Sequence, residues 1–282
     1  MMSSSPPGSI SLAVHEAPVQ SSEGQRVIFL HGAWHAAWVW EHWLRVFAEA
    51  GYRAQAPDLR GHGQSPGSYR GARVSDYVAD VANLIAGLEE PPVLVGHSFG
   101  GLLIQHLLHE RTYPAAVLLA PVPGRYPPRA LADFSRRHPL TTLRASVRRD
   151  LAGLVASPRL AREALFTEAT PEDVVVCCQS RLTGADPRLF REMVRAHPPA
   201  PKPGTPTLVL APTGDRSFTP AMQRRHATEL RAEFLEIENS GHNLPLEPAW
   251  RSAAEAVLDW LIARFTRDPA ADGLVPGPRG CA

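Results

Sequence analysis

The stretch Pro92-Val93-Leu94-Val95-Gly96-His97-Ser98-Phe99-Gly100-Gly101-Leu102-Leu103-Ile104-Gln105-His106-Leu107 decides how this chain is read. An apolar run of strand length meets Gly-x-Ser-x-Gly, and a helix-like stretch follows it. This predicts a buried strand, a tight turn with Ser98 at its apex, and a helix. Glycines flank the serine because the turn is strained and its neighbours must be nearly free of side chain. A helix N-terminus beneath the hydroxyl favours negative charge developing there. In that setting Ser98 is a candidate nucleophile rather than a loop serine.

Working outward, the flanking sequence alternates short apolar runs with helical patterns. Strands are expected at 10–15 (an edge strand), Gln25–Leu30, Tyr52–Pro57, Ala115–Ala120, Thr207–Ala211 and Phe234–Ile237. Helices are expected at Trp40–Ala50, Ser75–Leu88 with Ser75 as N-cap, and Pro248–Phe265. Strands alternating with helices predict an α/β fold with a mainly parallel sheet flanked by helices. Between Pro121 and Pro206 the alternation stops. Five helical segments follow one another: Arg129–Arg137, Leu140–Val155, Leu160–Phe166, Pro171–Leu182 and Pro187–His197. A connection this long has structure of its own. The expected organisation is a core over 10–121 and 206–266, a helical cap over 122–205, and disordered tails at 1–9 and 267–282. A cap leaving a strand end hangs over the carboxyl edge of the sheet, where ligands bind in open α/β folds.

A serine hydroxyl needs a base to take its proton and an acid to orient that base. For this elbow the expected chain order is Ser, Asp or Glu, His. His242, in the turn Asn239-Ser240-Gly241-His242-Asn243, stands after the last short strand and is the candidate base. Asp215 follows the run Leu208-Val209-Leu210-Ala211 and is the candidate acid. Glu236 and Glu238 compete but lie almost adjacent to the histidine, and Asp173 and Asp186 belong to the helical insertion. An oxyanion needs two backbone N–H donors. Phe99 supplies one; the other comes from the loop His31-Gly32-Ala33-Trp34, with Ala33 the first choice and Trp34 the alternative.

The elbow, the His31-Gly32 loop, Asp58-Leu59-Arg60-Gly61-His62-Gly63-Gln64-Ser65, the Asp215 segment and Ser240-Gly241-His242 together resemble the α/β-hydrolase superfamily. The resemblance covers about residues 25–120 and 205–265. It implies Ser98, Asp215 and His242 as the triad, and a structural role for Asp58. Residues His31–Trp40 resemble the loop of plant methyl esterases and hydroxynitrile lyases. The lyases place a lysine after the catalytic histidine, where this chain has Asn243, which argues against that chemistry. The insertion looks more like bacterial carboxylesterases and lysophospholipase-like hydrolases. Epoxide hydrolases and dehalogenases use aspartate at the elbow, so Ser98 argues against both. The implied activity is cofactor-free cleavage of a carboxylic ester of a small or medium apolar substrate, through an acyl-enzyme. A thioesterase, an acyltransferase, a C–C bond hydrolase or lyase, and a non-catalytic ligand-binding protein are the alternatives.

Composition bounds the rest. The 282 residues suffice for a large core. With 29 basic and 28 acidic residues the chain offers no net field for nucleic acid or an anionic membrane. No apolar run reaches membrane-span length, and Met1–Gly8 lacks a basic region followed by an apolar stretch. These features and three cysteines, read as free thiols, predict a cytoplasmic location. Trp38, Trp40 and Trp43 read as core packing, and Trp34 as a wall of the acyl pocket. His97 is expected to pack beneath the elbow, and His62 to be structural. His106 and His109 lack partners for a metal site, and none is expected.

Overall fold

The computed structural model describes residues 10–18, 24–123, 129–195 and 198–265. The expected tails, 1–9 and 267–282, and Cys281 lie outside the described residues. Seven strands form one sheet: β1 (Val14–Glu16), β2 (Arg26–Leu30), β3 (Arg53–Pro57), β4 (Val93–His97), β5 (Ala116–Leu119), β6 (Thr207–Pro212) and β7 (Glu233–Ile237). Their order is β1-β3-β2-β4-β5-β6-β7. β1 runs antiparallel to β3 and every other pairing is parallel.

Two-residue alternation sends the strands' side chains into two separate cores. Ile28, Leu30, Leu94, Leu118 and Val209 face one way. They pack against α2 (Val74–Ala86), α3 (Phe99–Glu110) and α9 (Pro220–Leu230). Val27, Phe29, Val95, Val117 and Leu210 face the other way, against α1 (Glu41–Glu49) and α10 (Trp250–Phe265). Trp40 and Trp43 are wholly buried there around Phe29. Trp38 is only half-buried, with the Arg181 guanidinium 4.5 Å over its ring. Strands buried on both faces are why their sequences read as continuous apolar runs.

Two expectations are corrected. Helix α2 begins at Val74, so Ser75 lies inside it, and the Arg73 N–H is bonded 2.8 Å from the Asp76 carboxylate. The single helix expected over Leu140–Val155 is two elements, α5 (Pro139–Arg148) and a 3-10 turn (Leu151–Val155). Arg149 between them has φ +53°, and the Asp150 carboxylate accepts the Ala152 N–H instead of continuing the helix. The remaining helices of the insertion are α4 (Arg129–Arg137), α6 (Pro158–Leu165), α7 (Glu172–Arg181) and α8 (Pro187–Arg195). All stand between β5 and β6.

The sheet changes direction between β2 and β4. The chain leaves β2 for β3 on one side, while β4 lies on the other, which opens a crevice beyond the carboxyl ends of both strands. The loop after β2 and the turn after β4 meet in that crevice. Their approach depends on glycine: a Cβ on Gly100 would sit 2.2 Å from the Leu30 carbonyl oxygen, and one on Gly96 2.6 Å from Ile104 Cδ1. Because the first obstacle is backbone, Gly100→Ala is expected to destabilise the fold by about 3 kcal/mol, measured as a lowered urea midpoint. An unchanged midpoint would mean that helix and strand separate freely at this contact.

Candidate active site

Ser98 has φ +51° and ψ −110°, the strained conformation that the flanking glycines permit. Its N–H bonds the Leu119 carbonyl (2.9 Å) and its carbonyl accepts from Leu102 and Val122 (both 3.2 Å), so the turn is anchored to β5 and α3. The hydroxyl lies 3.0 Å from His242 Nε2. On the far side of the ring, Nδ1 lies 2.9 Å from Asp215 Oδ2. The other carboxylate oxygen, Oδ1, accepts the backbone N–H groups of Ser217 (2.7 Å) and Phe218 (3.0 Å). With one oxygen held by backbone, Asp215 presents the other to the imidazole. Glu236 and Glu238 are not in this chain of contacts: Glu236 pairs with Arg224. Asp186 accepts the N–H groups of Gly71 and Arg188 elsewhere.

His97 was expected only to pack. Instead its Nε2–H donates to the His242 carbonyl oxygen at 2.7 Å, which fixes the backbone carrying the candidate base. Burial holds its pKa well below the usual imidazole range, so the ring is a neutral donor. Sequence shows the histidine but not that a strand-end ring reaches a loop 145 residues away. A second unanticipated support is Glu247. Fully buried, it accepts from the Thr167 N–H (2.8 Å) and hydroxyl (2.9 Å) and the Thr170 hydroxyl (2.6 Å). Asn243 N–H bonds the Leu165 carbonyl. Together they tie the loop after His242 to the insertion.

The N–H groups of Ala33 and Phe99 carry no hydrogen bond among the described residues. Gly32, just before Ala33, packs directly on the elbow: a Cβ there would lie 3.2 Å from Ser98 Cβ and 3.0 Å from His97 Nδ1. Trp34, with φ +65°, turns its carbonyl to Thr183 of the insertion, and its ring packs against Phe190 at a tilt of 48°, centroids 4.9 Å apart. Above the serine is a cavity of about 70 Å³. Its walls are overwhelmingly apolar: Trp34, Val122 and Phe218 from the sheet side, Phe134, Leu154, Leu165, Phe190 and Met193 from the insertion. Asp58 is elsewhere, a buried hub accepting from Ala37, Gln64 and His15. Among the described residues no group of three His, Cys, Asp or Glu is placed to hold a metal. No described helix is long and apolar enough to cross a membrane. Cys177 is exposed and Cys178 buried, and neither is in a disulfide.

Residues 27–260 match the Alpha/beta hydrolase family. The chain belongs to that family. Among curated relatives of this alpha/beta hydrolase, a probable esterase of rice, PIR7A, is 30% identical over 170 residues. That match spans 54% of this chain and 64% of the rice protein. Among solved structures, an esterase from Thermogutta terrifontis superposes with a TM-score of 0.71, covering 92% of this chain and 96% of that one at 24% identity. A monoacylglycerol lipase of Paleococcus ferrophilus gives 0.67, over 90% and 99%, also at 24%. At such identities the likeness to these structures shows the fold.

Four buried histidines are expected to destabilise the fold in acid. Burial keeps His31 and His97 neutral well below the usual range, and pushes His35 and His226 down to about 4. Above pH 6.5 both folded and unfolded states hold these rings neutral, and stability is flat. Between pH 6.5 and about 4 the unfolded chain takes up protons that the folded one refuses, so stability falls as pH falls. For His226, whose ring is bonded to Gln105 Oε1, this amounts to about 3 kcal/mol. His226→Gln is expected to flatten that part of the urea-midpoint profile between pH 7 and pH 4. A variant with the wild-type slope would show that His226 is protonated in the fold.

Proposed function

We propose that this protein hydrolyses carboxylic esters of small or medium apolar substrates by serine nucleophilic catalysis. The observation that supports this best is the continuous relay from Ser98 Oγ through His242 to Asp215, at 3.0 and 2.9 Å, on the floor of an apolar cavity. Ser98 attacks the carbonyl while His242 Nε2 takes the hydroxyl proton. Asp215 holds Nδ1–H, keeping Nε2 a lone-pair acceptor and stabilising the imidazolium that forms. The oxyanion is received by the N–H groups of Ala33 and Phe99; losing one such donor costs about 3 kcal/mol of transition-state stabilisation. Trp34 serves as a wall rather than a donor. His242 returns the proton to the departing alcohol, then activates water to release the acid from the acyl-enzyme.

Helices α4–α8 act as a cap over a core of 10–121 and 206–266. The cap supplies most of the cavity's apolar wall and so sets the acyl or alcohol size accepted. The experiment is active-site labelling followed by turnover. A fluorophosphonate probe is expected to label Ser98 alone, and a p-nitrophenyl ester series to fall in kcat/KM as acyl length increases. No label at Ser98 would overturn the reading in favour of a ligand-binding protein.

A further inference from the structure

Helix α5 is amphipathic in the wrong sense for a helix packed on a core. Leu140, Leu143 and Val147, spaced i, i+3 and i+7, share one stripe and are 66%, 60% and 74% exposed. The helix's buried residue, Ala145, is on the opposite side. The stripe is bordered by Arg144 and Arg148, both exposed and in no ion pair among the described residues. These two line a hollow of about 330 Å³. Asp150, the acid at its edge, is already engaged by Arg70 and Tyr69.

The near-neutral chain conceals a marked polarity. Residues 122–205 hold fourteen basic and eight acidic residues, and the rest of the chain fifteen and twenty. The expectation drawn from net charge, that nothing favours an anionic membrane, therefore holds for the whole chain and not for its parts. We propose that the outer face of α5 docks this protein on an anionic lipid surface. The apolar stripe would enter the acyl boundary, and the arginines would take headgroup phosphates. Arginine suits that role through its fork of donors. Charge complementarity selects this occupant. A second copy would set two basic faces against each other, and a nucleic acid would leave three exposed apolar side chains without a role.

The test is flotation of the full chain with vesicles of phosphatidylcholine alone or with one third phosphatidylglycerol. This readout does not depend on ester turnover, so it stands or falls separately from the proposed activity. Wild type is expected to float only with phosphatidylglycerol, and less as salt rises. Arg144→Gln/Arg148→Gln should weaken binding roughly 30-fold. Leu140→Ser/Leu143→Ser/Val147→Ser should abolish it. All these positions are on the surface, so melting temperature and turnover of soluble p-nitrophenyl acetate should be unchanged in both variants. Three outcomes overturn the proposal: no flotation of wild type, equal flotation with both vesicles, or a dimer in sedimentation that the triple serine variant dissociates.

Discussion

Ser98→Ala is expected to lower kcat/KM for a p-nitrophenyl ester by a factor on the order of a million. The size follows from the chemistry. Without the hydroxyl there is no acyl-enzyme, and His242 faces a methyl group. Any residual rate would come from the oxyanion N–H groups and binding alone. The fold should tolerate the change. Ser98 is held by its backbone bonds to Leu119, Leu102 and Val122, none of which involves the hydroxyl. Alanine at φ +51° adds no bulk that serine lacked. The variant's melting temperature is therefore expected within a degree or so of wild type. A folded variant that retained full turnover would end the proposed mechanism.

Asp215→Asn is expected to lower kcat on the order of ten-thousand-fold, with KM little changed. The Oδ1 contacts to Ser217 and Phe218 N–H groups survive in asparagine, since its carbonyl oxygen takes the same place. That orientation turns Nδ2 toward His242 Nδ1. An amide NH₂ donates where the carboxylate accepted, so the ring must carry its proton on Nε2. The lone pair needed by Ser98 is then lost while every heavy atom stays in place. Steady-state kinetics with the ester, together with fluorophosphonate labelling at Ser98, measures the effect. Labelling as fast as wild type would show that Asp215 does not govern the tautomer.

The elements that were readable in sequence are those whose cause is local. The apolar run before Gly96, the glycines of the turn and the spacing of α3 each act over a few residues, so the elbow shows in a short string. The Leu208–Ala211 run and the turn around His242 likewise show where Asp215 and His242 stand relative to strand ends. The two corrected elements turn on side-chain to backbone bonds of Asp76 and Asp150, which apolar periodicity does not register. Asp150, whose Oδ1 caps the Ala152 N–H, is also held through Oδ2 by Tyr69 and Arg70, about eighty residues earlier, a contact no local pattern announces. The elbow motif placed His97 beneath the turn but not its bond to the His242 carbonyl, and Glu247 carried no signal, since a side chain in isolation does not reveal which loop it will reach.

By itself, the sequence determined the alternation of buried strands and amphipathic helices, and with it a parallel sheet interrupted by a helical insertion. Burial periodicity is a property of consecutive residues, and both cores obey it. Only the tertiary structure decided that Ser98, Asp215 and His242 stand within hydrogen-bond reach, and that α5 turns its apolar stripe outward. Such distances depend on how strands order themselves across the sheet and how the insertion folds back. Both are set by the sum of many contacts between distant residues, which no short stretch of the chain encodes.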